Sequence, residues 1–171
     1  MSQPATEVWQ RGPVDGVPPP LMPVAHALLQ VQEDLRALVA SVPATHFWVR
    51  PGGAASIAFH VRHIGGATDR LLTYARGEAL SEAQRAALAL EADLTGPPLD
   101  ALVDAALRTL DAALAQVRAT APATLGEARA LGRARLPTTV LGLLFHAAEH
   151  ATRHAGQAIT TARILAGLAD D

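Results

Sequence analysis

The sequence predicts an all-α protein, a four-helix bundle with one long crossover. Apolar residues recur at helical spacing in four separate stretches of the chain. Aromatic residues make up only 4% while Ala and Leu dominate, which favours helices packed through small and aliphatic side chains over a sheet of β-branched and aromatic ones. The connection from Gly77 to Pro97 is far longer than an antiparallel hairpin of helices needs, as a crossover would be. With 171 residues, 50% of them hydrophobic and 18% charged, the chain can bury one core and reads as one domain.

Residues 1–20 read as an irregular arm lying on the body, because Pro18, Pro19 and Pro20 block helix until they end. The bundle then spans 21–168, with 169–171 as a tail. From Val24, the residues Leu28, Val31, Leu35 and Leu38 mark a first amphipathic helix that stops before Pro43. A second runs from Ser56, a suitable N-cap, to Gly77, a suitable C-cap, with Ile57, Val61, Ile64, Leu71 and Leu72 on one side. Gly65 and Gly66 interrupt it at a cost of ~1 kcal/mol each relative to Ala, and close approach of another helix is the expected reason. The crossover, 78–96, contains ALSEAQRAALALEADL, which suits a short helix of its own. A third long helix follows Pro97 and Pro98 with Leu99, Val103, Ala106, Leu110, Ala113 and Val117 in phase, and stops before Pro122. The fourth and longest begins near Pro137, Thr138 and Thr139 and runs to about Gly167.

Several chemistries are excluded or disfavoured at this stage. The formal net charge is -2, so no excess of positive charge exists to neutralise a nucleic-acid backbone. Every basic residue is Arg, which removes Schiff-base lysine chemistry. Cysteine is absent, so there is no disulfide framework, thiol nucleophile or thiolate ligand, and a metal could be held only by His, Asp, Glu and solvent. The first twenty residues lack a continuous apolar stretch of the secretory kind, and no run approaches the ~18 apolar residues of a membrane span. A soluble, cytoplasmic protein is expected. PGG at 51–53 lacks the strand and spacing of a phosphate loop.

What remains is histidine. FHAAEHATRHAGQ, 145–157, carries His146, His150 and His154, one in each successive turn of the fourth helix. At ~100° per residue these form one drifting stripe, with His154 within the apolar side, His150 at its margin, His146 outside it and Glu149 nearly opposite. His150 and His154 are therefore the better i, i+4 chelating pair. In FHVRH on the second helix, His60 or His63 could add a third ligand from a facing helix, and periodicity places His60 nearer the centre of the apolar side. Three neutral imidazoles would leave a coordination position open, as catalytic sites do. The plain alternative is a set of ordinary core or surface histidines, as His26 and His46 suggest by having no chelating partner nearby in sequence.

LPTTVLGLLFHAAEHATRHAGQAITTARIL resembles the last helix of DinB/YfiT-like proteins, with its His-xxx-His followed by a small residue and Gly-Gln. WVRPGGAASIAFHVRHIGG resembles the entry to their second helix, where a histidine stands seven residues after a Ser; from Ser56 that is His63. WQRGPVDGVPPPLMPVAHALLQ is similar to the arm and first helix of one branch of the family. The resemblance implies a homodimeric bundle holding one divalent metal per chain, zinc or nickel among the candidates, on His63, His150 and His154. His60 and His146 then become candidates to line the pocket or to bond a bound water, and Arg153 and Gln157 to orient a ligand or to make surface contacts. Relatives include transferases that activate low-molecular-weight thiols such as bacillithiol or mycothiol. The leading expectation is thus a metal-dependent thiol S-transferase acting on a small electrophile. A hydrolase using metal-bound water and a non-catalytic, ligand-binding dimer in bacterial stress response are the alternatives.

Overall fold

The structure, a computed structural model, describes residues 6–169; the first five residues of the arm and the last two of the tail lie outside the described residues. Five α-helices and one small hairpin are present: α1 Met22–Ser41, α2 Ile57–Ala75, α3 Glu82–Leu90, α4 Leu99–Ala119, β1 Ala128–Leu131, β2 Leu136–Thr139 and α5 Val140–Ala169. The four long helices form the expected bundle, and α3 is the short helix of the crossover.

Each long helix buries the stripe that its sequence marks. Leu28, Val31 and Leu35 of α1, Ile57, Val61 and Ile64 of α2, Leu99, Val103 and Leu110 of α4, and Leu143, Leu144 and Ala151 of α5 meet in one core. Among the four long helices, those successive in the chain are not the main neighbours in space: α1 and α2 each pack against both α4 and α5. This places α2 beside α5, the two helices that carry the paired histidines.

The helix ends follow local chemistry. Ser56 Oγ accepts from the Phe59 amide at 3.1 Å and starts α2. Beyond its end, Gly77 adopts the left-handed conformation at φ 80, with its amide bonded to the Tyr74 carbonyl at 2.9 Å and that of Glu78 to Thr73 at 3.1 Å. Ser81 and Gln84 bond each other's amides reciprocally, a capping box that starts α3. The described part of the arm lies on the body: Val8 and Val17 are buried, the Val8 amide donates to Gln30 Oε1 at 3.0 Å, and His26 Nε2 meets the Gly12 carbonyl at 2.9 Å.

The entry to α5 differs from expectation. Pro137, Thr138 and Thr139 are not the first helical turn but the second strand of an antiparallel hairpin, in register Ala128↔Thr139 to Leu131↔Leu136. Helix starts only at Val140, where Thr139 Oγ1 accepts the Gly142 amide at 3.0 Å. The strands are four residues each, β1 without a β-branched residue and β2 with Pro137 inside it, and are too short to announce themselves. The hairpin closes the end of α2, since Arg129 Nε donates to the carbonyl of Ala75, its last residue, at 2.8 Å.

Of the two interior glycines of α2, Gly65 answers to helix packing: a Cβ there would lie 3.3 Å from the Ala106 Cα of α4. Gly66 answers to something else.

Candidate metal centre

On α2, His60 and His63 are one turn apart, and on α5, His150 and His154 are one turn apart; the two helices bring all four together. His63 Nε2 lies 2.9 Å from His150 Nε2, and His60 Nδ1 lies 2.9 Å from His154 Nδ1. Ring centroids of His63, His150 and His154 are 4.6–5.1 Å apart. One ring nitrogen from each of these three lies within 4.8 Å of the others, a group that could hold a metal ion. Phe59 stacks on His63 at 5.5 Å between centroids and an interplanar angle of 7°, closing one side of the ring.

The cluster suppresses its own protonation. Burial, and then the neighbouring imidazoles of His63, His150 and His60, push His154 down to about 4. His150 is lowered by burial and by His63, and His60 by the same two causes. These rings are therefore neutral near pH 7, which is the form that ligates metals. His150 Nδ1 is buried and, alone among the described side chains' buried polar atoms, has no hydrogen-bond partner.

The second nitrogen of His63 is engaged by a residue that sequence reasoning missed. Glu91, at the C-terminal end of α3, is 5% exposed, and its Oε2 lies 2.6 Å from His63 Nδ1. Arg70, two turns further along α2 and 9% exposed, binds both oxygens of the same carboxylate, Nη1 to Oε1 and Nη2 to Oε2 at 3.2 Å. Burial alone would raise the Glu91 carboxyl, but the hydrogen bonds from His63 and Arg70 outweigh it and hold the group below its usual value. An ionised carboxylate can only accept, so His63 Nδ1 is the donor in this contact. This is the carboxylate–histidine arrangement that orients ligands in metal sites. The reason for Gly66 is here: a Cβ would collide with Glu91 Oε1 and sit 2.8 Å from Arg70 Nη1.

A family model described as the DinB superfamily matches residues 27–158 of the chain, a span that includes all four clustered histidines. The chain belongs to the DinB superfamily. No curated protein matches it. For this DinB protein, membership and the three-histidine group together support metal binding. Among the described residues, no helix is long and apolar enough to cross a membrane.

The remaining residues singled out in the sequence sit around this centre. His60 is 5% exposed, deeper in the core than His63, as the periodicity indicates, and it touches His154 rather than joining the ligand group. The side chain of His146 is 42% exposed and its ring lies 5.3 Å from that of His150. Its Nδ1 is 2.7 Å from Glu149 Oε1, an i, i+3 pair at the exposed edge of the stripe. Arg153 donates to Glu149 Oε2 at 2.6 Å on the surface, and Gln157 is exposed. Trp48 packs under the Arg62 guanidinium at 4.8 Å, while Arg62 donates to the carbonyls of Leu90 at 2.7 Å and Thr95 at 3.1 Å and fastens the crossover to α2. His26 and His46 lie outside the cluster.

Proposed function

We propose that the chain is a metal-dependent thiol S-transferase, with one divalent ion, zinc or nickel, on His63, His150 and His154. The observation that carries the reading is the convergence of three imidazoles from two helices, one of them with its far nitrogen already held by a carboxylate. The donor set fits such an ion: with bonds of ~2.0–2.1 Å to nitrogen, a tetrahedral centre keeps its ligands about 3.3 Å apart, close to the 2.9 Å between His63 Nε2 and His150 Nε2. When bound, the ion would supply positive charge at an open position, where a small-molecule thiol loses its proton more readily.

The chain's own part is to keep the rings neutral by burial, to orient them, and to offer no cysteine that would compete with a thiol cosubstrate. His146 and Arg153, at the exposed edge of the stripe, are placed to meet the polar end of a substrate, with Gln157 one turn beyond Arg153. A homodimer is part of the same proposal. Leu141, Phe145 and Thr152 share one side of α5, and Phe145 is 58% exposed. Thr152 also lines a groove of about 610 Å³ with Met22 and the 62% exposed Trp9, an apolar surface suited to a second copy.

The test is elemental analysis of untagged protein, followed by thiol consumption with monobromobimane. Near-stoichiometric metal, and a rate well above the metal-free control, is the expected result. Metal without thiol turnover would favour the hydrolase or the non-catalytic dimer, and no metal even after adding zinc or nickel would sink the whole reading. Light scattering during gel filtration should give twice the chain mass.

A further inference from the structure

Three residues on one face of α2 have no explanation in the bundle core: His63, Gly66 and Arg70, spaced by three and four. Arg70 is a nearly buried cation on a helix otherwise selected for apolar packing, and Gly66 is a poor helix former with no neighbouring backbone pressed against it. Glu91 accounts for all three. Its carboxylate fills the space that a side chain at 66 would take, binds Arg70 with both oxygens, and presents Oε2 to His63 Nδ1 at 2.6 Å.

An imidazole with one free nitrogen can carry its proton on either side. With Nε2–H, His63 would point a proton at the space where a ligand needs a lone pair. We propose that Glu91 is the positioning residue of the histidine site: clamped by Arg70 in the gap at Gly66, it keeps the His63 proton on Nδ1 and so turns an unprotonated Nε2 toward the ion. The inference rests on the three-histidine reading and adds the crossover to the centre. The segment that leaves α2 and returns as α4 supplies no ligand, yet it decides which nitrogen of a ligand is available.

The substitutions that isolate this role are Glu91→Gln and Gly66→Ala. The amide of Gln cannot accept from His63 and from both Arg70 nitrogens at once, so one contact becomes donor against donor. The added methyl in Gly66→Ala evicts the carboxylate without touching any histidine, in a substitution that ordinarily favours helix.

Long-range proton–nitrogen NMR of metal-free, ¹⁵N-labelled protein reads the His63 tautomer directly, and zinc titration against a chromophoric chelator reads affinity. The expected result is Nδ1–H in the wild type, loss of that single tautomer in both variants, and zinc affinity lowered by ~10–100-fold in each. An Nε2–H tautomer in the wild type overturns the proposal even if neither variant folds. Variants that keep the wild-type tautomer or bind zinc as tightly as the wild type overturn it too. Should the wild type show Nδ1–H but take up no zinc, the metal reading falls while the hold of Glu91 on the ring stands.

Discussion

The same three-residue grouping occurs twice around the cluster. In one copy, His63 meets Glu91 at 2.6 Å and Glu91 binds Arg70; in the other, His146 meets Glu149 at 2.7 Å and Glu149 binds Arg153. The bond lengths are nearly equal, but the surroundings are not. The Glu91 side chain is 7% exposed and that of Arg70 11%, against 29% for Glu149 and 56% for Arg153. In the dry copy neither charge has water to fall back on, so removing one partner strands the other at a cost of ~3–5 kcal/mol. In the wet copy solvent replaces whatever is lost. Equal geometry thus carries unequal weight, and only the dry copy can hold a ring to one tautomer against thermal disorder.

The largest expected effects fall on the proposed metal ligands, one of which, His63, the dry copy holds. His63→Ala and His150→Ala should lose the bound metal outright in elemental analysis, while His60→Ala keeps most of it. His60 touches only His154, through Nδ1 at 2.9 Å, and it is a neutral anchor for that ring where Glu91 is an anionic one for His63. Equal metal loss in the His60 and His63 variants would show that His60 is needed as much as a proposed ligand and would undo the three-histidine assignment.

Next comes the glycine pair. Gly65→Ala and Gly66→Ala each gain ~1 kcal/mol of helix propensity. At 65 the methyl meets backbone of α4 at 3.3 Å, and the neighbouring helix must give way by a few tenths of an ångström. At 66 it breaks a buried ion pair, so Gly66→Ala should be about 2–4 kcal/mol less stable on balance. Urea unfolding of both variants checks this. A Gly66→Ala protein as stable as the wild type would mean that Glu91 swings out to solvent at little cost.

Acid should expose the neutral cluster. In the folded chain His154 is pushed from 6.5 to about 4, so between those values the unfolded chain binds the proton that the folded chain refuses. The contribution is complete above pH 6.5 and is lost as pH falls toward 4, with His60 and His150 adding in the same direction. Glu91, held low by His63 and Arg70, extends the loss below 4.5. Urea midpoints of metal-free protein at pH 7.5, 6.5, 5.5 and 4.5 should therefore decline, and His154→Asn should flatten the upper part of that decline. A wild-type midpoint level from 7.5 to 4.5 would contradict the shifts.

The two copies also differ in how far they could be seen in the sequence. His146, Glu149 and Arg153 lie on one helix at spacings of three and four, within reach of local periodicity. Glu91 is separated from His63 by 28 residues and by the turn of the crossover, and nothing in ALALEADL tells a solvated Glu from a buried one. The signals that existed were on α2 itself, a Gly and an Arg at positions where the helix turns inward. The four long helices were legible because burial imposes their 3.6-residue period over 19 residues or more. The hairpin at 128–139 was not, because two strands of four residues, Ala-Arg-Ala-Leu and Leu-Pro-Thr-Thr, offer no comparable period.

The smallest effect belongs to the wet copy and sharpens the comparison by its size. Glu149→Ala removes the partner of both His146 and Arg153, deleting two hydrogen bonds where Glu91→Ala would delete three. Exposed i, i+3 and i, i+4 pairs on a helix contribute ~0.2–0.5 kcal/mol each, less at high salt, so the variant should unfold within about 1 kcal/mol of the wild type and keep its metal. The zinc titration is the sharper reading. The His146 ring stands 5.3 Å from that of His150, and His146 is not among the proposed ligands, so freeing it should change the neighbourhood of the centre but not the orientation of a proposed ligand. A fall in zinc affinity as large as that from Glu91→Gln would show that a solvated carboxylate one turn from His150 orients the site as well as a buried one does, and burial would no longer be what separates the two copies.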